Sequence, residues 1–139
     1  ITSSYALVVM DTEAGLEHFS RRTTRDIDAL LITTDPTSRG IATAKRISEL
    51  TKEINTKVGR QYVIANRVPD ATRDRVVQDI AAAGLDCIGV VPEDPLVQEF
   101  DINGKPIVKL PENSAAYKAT LEIAGRLQIP ETATARTAG

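Results

Sequence analysis

Four short apolar runs limit most strongly how this chain can fold. They are rich in valine and isoleucine and nearly continuous, and they span Tyr5–Met10, Ala29–Thr33, Gln61–Ala65 and Cys87–Val91. Strands buried on both faces carry such runs, whereas half-exposed strands alternate apolar and polar residues. The runs therefore predict four strands of a mostly parallel sheet.

The segments between the runs have the apolar spacing of amphipathic helices. Two of them carry apolar residues three or four apart, namely Ile41, Ala44, Ile47, Leu50 and Ile54, and Val76, Val77, Ile80 and Ala83. Thr37 or Ser38 is predicted to cap the first helix, and Gly84 to close the second. A third helix is predicted over Ala115–Leu127, with Ser114 as its cap. Strands that alternate with crossover helices predict an α/β layer sandwich.

Charge and cysteine content exclude several classes of function. The chain has 139 residues with 17 Lys+Arg against 19 Asp+Glu, a net charge of −2. It lacks a basic block that would neutralise a phosphate backbone, so we expect no nucleic-acid partner. Its one cysteine excludes a disulfide framework within the chain and favours a reduced, cytoplasmic setting. The apolar runs are far shorter than the roughly 20 residues of a membrane span, so we expect no membrane contact.

The length fits a single domain, which we place at residues 1–129. From Gln128 onward the chain turns to Pro, Thr, Ala and Gly, so residues 130–139 are predicted to form a flexible tail. The first residue is Ile1 and not methionine, and we therefore expect a further segment upstream.

Ligands of an open parallel sheet bind at the carboxyl ends of the strands, so the loops after the runs are candidate sites. Asp11 ends the first run, and Gly15 follows within four residues. A carboxylate there suits a Mg²⁺-bound water, and a glycine N–H suits a terminal phosphate. Turn formation alone also favours both residue types, so the two interpretations stay open.

The later loops carry further candidates. Asp35 either caps the helix that follows it or flanks an anion site at its N-terminus. Asn66 either makes a paired donor and acceptor contact with a base edge or only tolerates a turn. Residues Pro92–Pro95 form a rigid loop that either lies against a nucleobase or has no ligand.

Together these segments resemble one family. The chain reads VVMDTEAGLEHFSRR over residues 8–22, and the loops at 34–38, 66–68 and 91–95 follow in order. Over residues 5–127 it resembles the CooC-type ATPases, accessory proteins that help to insert nickel into carbon monoxide dehydrogenase. They lie within the MinD/ParA and nitrogenase-iron-protein group of P-loop ATPases.

The resemblance implies roles for the candidate residues in ATP binding and hydrolysis. Asp11 would be the Walker B carboxylate that acts on Mg²⁺ through water, and Gly15 would belong to the switch that senses the γ-phosphate. Asn66 would contact adenine. The cofactor-binding residues expected on this basis are Asp35, Asn66, Arg67, Pro92, Glu93 and Asp94. The group closes as a homodimer around ATP, and the partner would be carbon monoxide dehydrogenase or a similar metalloenzyme.

The chain departs from the family in two motifs. It has no Gly-x-x-x-x-Gly-Lys-Ser/Thr motif, since Gly104-Lys105-Pro106 lacks the earlier glycine and the hydroxyl. It also lacks the Cys-x-Cys pair that binds nickel, and Cys87 and His18 are single and far apart, so we expect nickel as cargo without a site in this chain. The chain thus resembles the C-terminal half of such an ATPase. The alternative is a non-catalytic α/β binding or assembly module that has lost ATP binding.

Overall fold

A computed structural model describes residues 7–12, 26–53 and 57–128. These residues hold three strands, β1 (Asp26–Thr34), β2 (Lys57–Val68) and β3 (Cys87–Pro92). The strands form one parallel sheet in the order β1-β2-β3. Each lies over one of the last three apolar runs, so the predicted parallel sheet is confirmed there.

Helices follow every strand. The described ones are α1 (Ser38–Glu53), α2 (Arg73–Ala82), α3 (Pro95–Ile102) and α4 (Ala115–Arg126), with 3₁₀ turns at Asp70–Thr72 and Ile107–Lys109. Three of the helices match the apolar periodicity. The helix α3 was not predicted, although Asp94 as N-cap and Pro95 in the first turn are a known start signal. No helix in the described ranges is long and apolar enough to cross a bilayer.

The first predicted strand is wrong over residues 7–10. The structure assigns no strand to Leu7–Met10 and leaves these four side chains between 38% and 78% exposed, while residues 5 and 6 lie outside the described ranges. A strand requires a neighbour for its backbone N–H and C=O groups. The apolar run indicates strand propensity, but propensity does not supply that neighbour.

The core lies mainly between the sheet and the helices α1 and α2. Its buried members are Ile32, Ile41, Ala44, Val63, Ala65, Val68, Val76, Ile80 and Val90. On the other face of β3, α4 packs so closely that a Cβ on Gly89 would collide with Ile123. Helices therefore lie on both faces of the sheet, α1 and α2 on one and α4 over β3 on the other, which confirms the predicted layer sandwich.

Local capping agrees with the sequence patterns. The Gly40 N–H donates to Thr37 Oγ1 at 3.0 Å, and the Tyr117 N–H donates to Ser114 Oγ at 3.1 Å, so both predicted N-caps are present. Gly84 has a φ of 77° after α2, the left-handed conformation of a C-terminal glycine. Short-range polar contacts thus fix where the helices begin and end.

We expect the 139-residue chain to self-associate, or to unfold with less than the usual 5–15 kcal/mol. Among the described residues β1 pairs only with β2, so its outer edge is a template for association. Light scattering together with denaturant unfolding measures both quantities. Leu31→Lys places a charge on the 38% exposed Leu31 of β1 and should reduce association, whereas Leu121→Lys on α4 is the matched control. A clean monomer that unfolds cooperatively at high denaturant would contradict the prediction.

Candidate functional site

The candidate site lies at the carboxyl ends of the three parallel strands, which together form what we call the carboxyl edge of the sheet. Val68 at the end of β2 pairs with Pro92 at the end of β3, and the Glu93 N–H donates to the Val68 carbonyl at 3.1 Å. The end of β2 at Asn66–Arg67 and the end of β3 at Pro92–Glu93 therefore lie side by side. The fold brings together two of the segments that the sequence singles out.

Asp35 orders the turn between β1 and α1. Its Oδ1 accepts hydrogen bonds from the Thr37 hydroxyl at 2.6 Å and from the Thr37 N–H at 3.0 Å. These bonds, with a smaller contribution from the positive charge of Arg67, hold the pKa of Asp35 below its usual value. Thr34 pairs with Ala65, so Asp35 follows β1 beside the end of β2, and the local bonds agree with the capping interpretation of Asp35. A role for Asp35 in nucleotide binding stays a prediction.

The end of β2 contains a bulge at Asn66 and Arg67. The strand advances three residues from Ala65 to Val68 while β3 advances two, from Val90 to Pro92. Arg67 has a φ of 54°, which is uncommon for a residue other than glycine, and its N–H donates to Asn66 Oδ1 at 3.0 Å. Bulges redirect side chains and are frequent next to active sites. Arg67 is exposed and Asn66 half-buried, so both are within reach of a ligand.

Asp94 has a structural role that the sequence analysis missed. Its side chain is buried, with 7% exposed. Oδ1 accepts from the Leu96 N–H at 2.9 Å in α3, and Oδ2 accepts from Ser114 Oγ at 2.5 Å and from the Ala116 N–H at 3.0 Å in α4. The bonds from Ala116 and Ser114 lower the pKa of Asp94. Both oxygens of Asp94 therefore cap helices, and a direct contact of this carboxylate with nucleotide stays a prediction.

The remaining predicted residues differ in how far the structure describes them. Pro92 is half-buried and Glu93 exposed at the end of β3. Asp11 is exposed in the segment 7–12, which belongs to no strand. Gly15 and His18 lie outside the described residues, so their roles stay predictions. Within the described ranges, no three His, Cys, Asp or Glu side chains form a group that could hold a metal ion.

A cleft of about 290 Å³ lies between the end of β1 and the start of α1, at the helix N-terminus where the sequence analysis allows an anion site. Its polar lining includes Thr33, Asp35, Arg39 and Thr43. A Cβ on Gly40 would collide with Asp35 Oδ1, so this glycine lets α1 approach the loop. The turn follows from the local Asp-Pro-Thr sequence. The cleft also depends on how closely α1 packs against that turn.

Known proteins resemble the chain in sequence, although no family model matches it. It is 41% identical over 127 residues to an uncharacterised ATP-binding protein of Methanocaldococcus jannaschii, covering 91% of this chain and 50% of the relative. It is 33% identical over 104 residues to the carbon monoxide dehydrogenase accessory protein CooC of Rhodospirillum rubrum, covering 75% and 38%. The chain spans about half the length of the first of these relatives, and less of CooC.

The fold also matches solved structures. The MinC:MinD cell division protein complex of Aquifex aeolicus aligns with a TM-score of 0.60 and 28% identity, over 80% of this chain and 47% of that one. The chain is thus similar in sequence to ATP-binding proteins, CooC among them, and similar in fold to the MinD-type P-loop ATPases. This confirms the predicted resemblance and the α/β class, and it makes the carboxyl edge of the sheet the natural place to look for a nucleotide site.

We expect Asp94→Asn to lower the free energy of unfolding by about 2 kcal/mol at pH 7, because an amide cannot accept at both former carboxylate oxygens. The folded-state pKa of Asp94 is lowered, so its contribution is present above the unfolded pKa and is lost as the pH falls through the folded value. Denaturant unfolding at pH 7 and at pH 2 measures both effects.

The control for this prediction is Glu112→Gln, which changes an exposed carboxylate near the start of α4. We expect it to alter the stability by no more than about 0.5 kcal/mol. The stability difference between wild type and Asp94→Asn should shrink in acid. Equal stability of the two proteins at pH 7 would show that the three hydrogen bonds of Asp94 contribute nothing net.

Proposed function

We propose that this chain provides the base-side wall of the ATP site in a P-loop ATPase. The observation that carries the proposal is the contact between the ends of β2 and β3. There the Glu93 N–H donates to the Val68 carbonyl and sets Asn66 and Arg67 beside Pro92 and Glu93. The relatives named as ATP-binding support a nucleotide as the ligand of this edge.

Asn66 has the groups that a purine base requires. Its Oδ1 accepts one bond from the Arg67 N–H, which leaves a second lone pair and both Nδ2 protons for a ligand. A carbonyl and an amino group side by side match the donor and acceptor pair of the adenine edge. The exposed planar guanidinium of Arg67 suits stacking on the ring, and Pro92 offers a flat apolar surface.

The phosphate side of the site depends on other residues. The chain has no P-loop motif, so the phosphate cradle of the proposed ATPase lies outside it. Asp11 fits Mg²⁺, because its exposed carboxylate is a hard oxygen donor and protein-bound Mg²⁺ commonly takes one carboxylate with phosphates and water. When bound, Mg²⁺ neutralises phosphate charge. Asp11 would orient that ion, and Gly15 would offer its N–H to the terminal phosphate.

ATP hydrolysis in such an ATPase would drive a further task. CooC of Rhodospirillum rubrum is named as an accessory protein of carbon monoxide dehydrogenase. We place the present protein in the same class of task, with nickel as the cargo, a homodimer as the active form and a metalloenzyme as the partner. A non-catalytic binding module is the competing function, and the two experiments below separate it from an ATPase.

We expect Asn66→Ala to weaken ATP binding about tenfold in the complete protein, because one paired contact to the base is lost. Binding of tripolyphosphate, which has no base, should stay unchanged. Titration calorimetry gives both dissociation constants. Asn103→Ala, at an exposed asparagine just after α3, is the matched control. An equal loss of affinity for ATP and for tripolyphosphate would contradict a contact between Asn66 and the base.

We expect Asp11→Asn to abolish ATP hydrolysis in the complete protein and to leave most of the nucleotide affinity. The carboxylate orients Mg²⁺ and the attacking water, whereas the base and the phosphate cradle supply the affinity. Phosphate release and ATP binding are measured on the same preparation, with Asp28→Asn, an exposed aspartate of β1, as the control. Turnover near the wild-type rate would remove Asp11 from the site. Wild-type protein without turnover would favour the non-catalytic module.

A further inference from the structure

The buried carboxylate of Asp94 joins the base-side loop to two helices. The helices α3 and α4 both begin at this side chain, which accepts from Leu96 in one and from Ser114 and Ala116 in the other. Its negative charge lies at two helix N-termini, where it is favourable. Both carboxylate oxygens of Asp94 therefore have a structural role.

The loop that precedes Asp94 is held at its other end by the sheet. Glu93 donates its N–H to the Val68 carbonyl at 3.1 Å. Pro95, immediately after Asp94, has a fixed φ and lacks an N–H group. Glu93 thus lies between one anchor on β2 and a second anchor at the Asp94 carboxylate.

The second anchor is rigid because α4 is attached to the sheet by contacts that do not involve Asp94. Arg126, at the end of α4, donates from Nη1 to the Ile88 carbonyl of β3 at 2.6 Å. Ile123 packs over Gly89, where a Cβ would collide with it. Loss of the Asp94 bonds would therefore release the loop, while α4 stays on β3.

We propose that Asp94 is a positioning residue for nucleotide: it sets where Pro92 and Glu93 meet the purine and ribose without touching either. The inference rests on the proposed function, since it assigns a role within the base-side wall. Asp94 acts through the loop, and its substitution changes the affinity for the base and sugar but not for the phosphates.

The experiment compares two ligands in the complete protein. Dissociation constants for ATP and for tripolyphosphate are measured by calorimetry for wild type, Asp94→Asn and Ser114→Ala. We expect Asp94→Asn to raise the dissociation constant for ATP about tenfold and to leave the dissociation constant for tripolyphosphate unchanged. Ser114→Ala removes one of the three bonds and should shift the ATP constant in the same direction by a smaller factor.

The control for a general loss of stability is Ser48→Ala. Ser48 is buried in α1 and donates to Gln61 Oε1 at 2.8 Å, far from the loop in sequence. This variant should lower the melting temperature without changing the ratio of the two dissociation constants. If Asp94→Asn fails to fold, the same ratio measured for Ser114→Ala decides the question.

Three results would overturn the inference, and they have different meanings. A wild-type protein that binds ATP no better than tripolyphosphate would refute the base-side wall, and the positioning role with it. A wild type that favours ATP, with an unchanged ratio in Asp94→Asn and Ser114→Ala, would refute only the positioning role. Equal weakening of both ligands by Asp94→Asn would show that the carboxylate supports the whole fold and not the loop.

Discussion

The pairing of β2 with a parallel strand on each side is the constraint on which the rest of the structure depends. Its residues Val63 and Ala65 are 1% and 0% exposed, because helices and strands enclose them. Parallel neighbours require crossover connections, and α1 and α2 provide them. These crossovers bring the ends of β1, β2 and β3 to the same edge. Residues that are far apart in sequence meet there because of the strand direction alone.

Two glycines set how closely the helices approach this sheet. Gly40 lets α1 start directly against Thr34 and Asp35, and Gly89 lets α4 lie on β3. A methyl group at either position would push a helix away from the strand that it covers. The loops at the carboxyl edge are therefore held by helices in close contact with the sheet, which is the rigidity that a binding site needs.

The sequence predicts what local interactions decide. The caps at Thr37 and Ser114 follow from hydrogen bonds over three residues, and the last three strands follow from continuous apolar runs. The run over Leu7–Met10 failed as a prediction because pairing depends on a partner strand that propensity does not specify. The helix α3 was missed because the prolines around Asp94 were interpreted as a rigid loop and not as a helix start.

The chemistry of the edge depends on contacts over longer distances. Asp94 bonds to residues 20 and 22 positions ahead, so a strand-end aspartate that resembles a ligand-binding group in the sequence is a structural group in the fold. Asp35 is likewise engaged by Thr37. At the same edge the amide of Asn66 and the guanidinium of Arg67 are donors that long-range contacts do not engage among the described residues. Glu93 is exposed at the same edge, so its carboxylate is free of the capping role that Asp94 has.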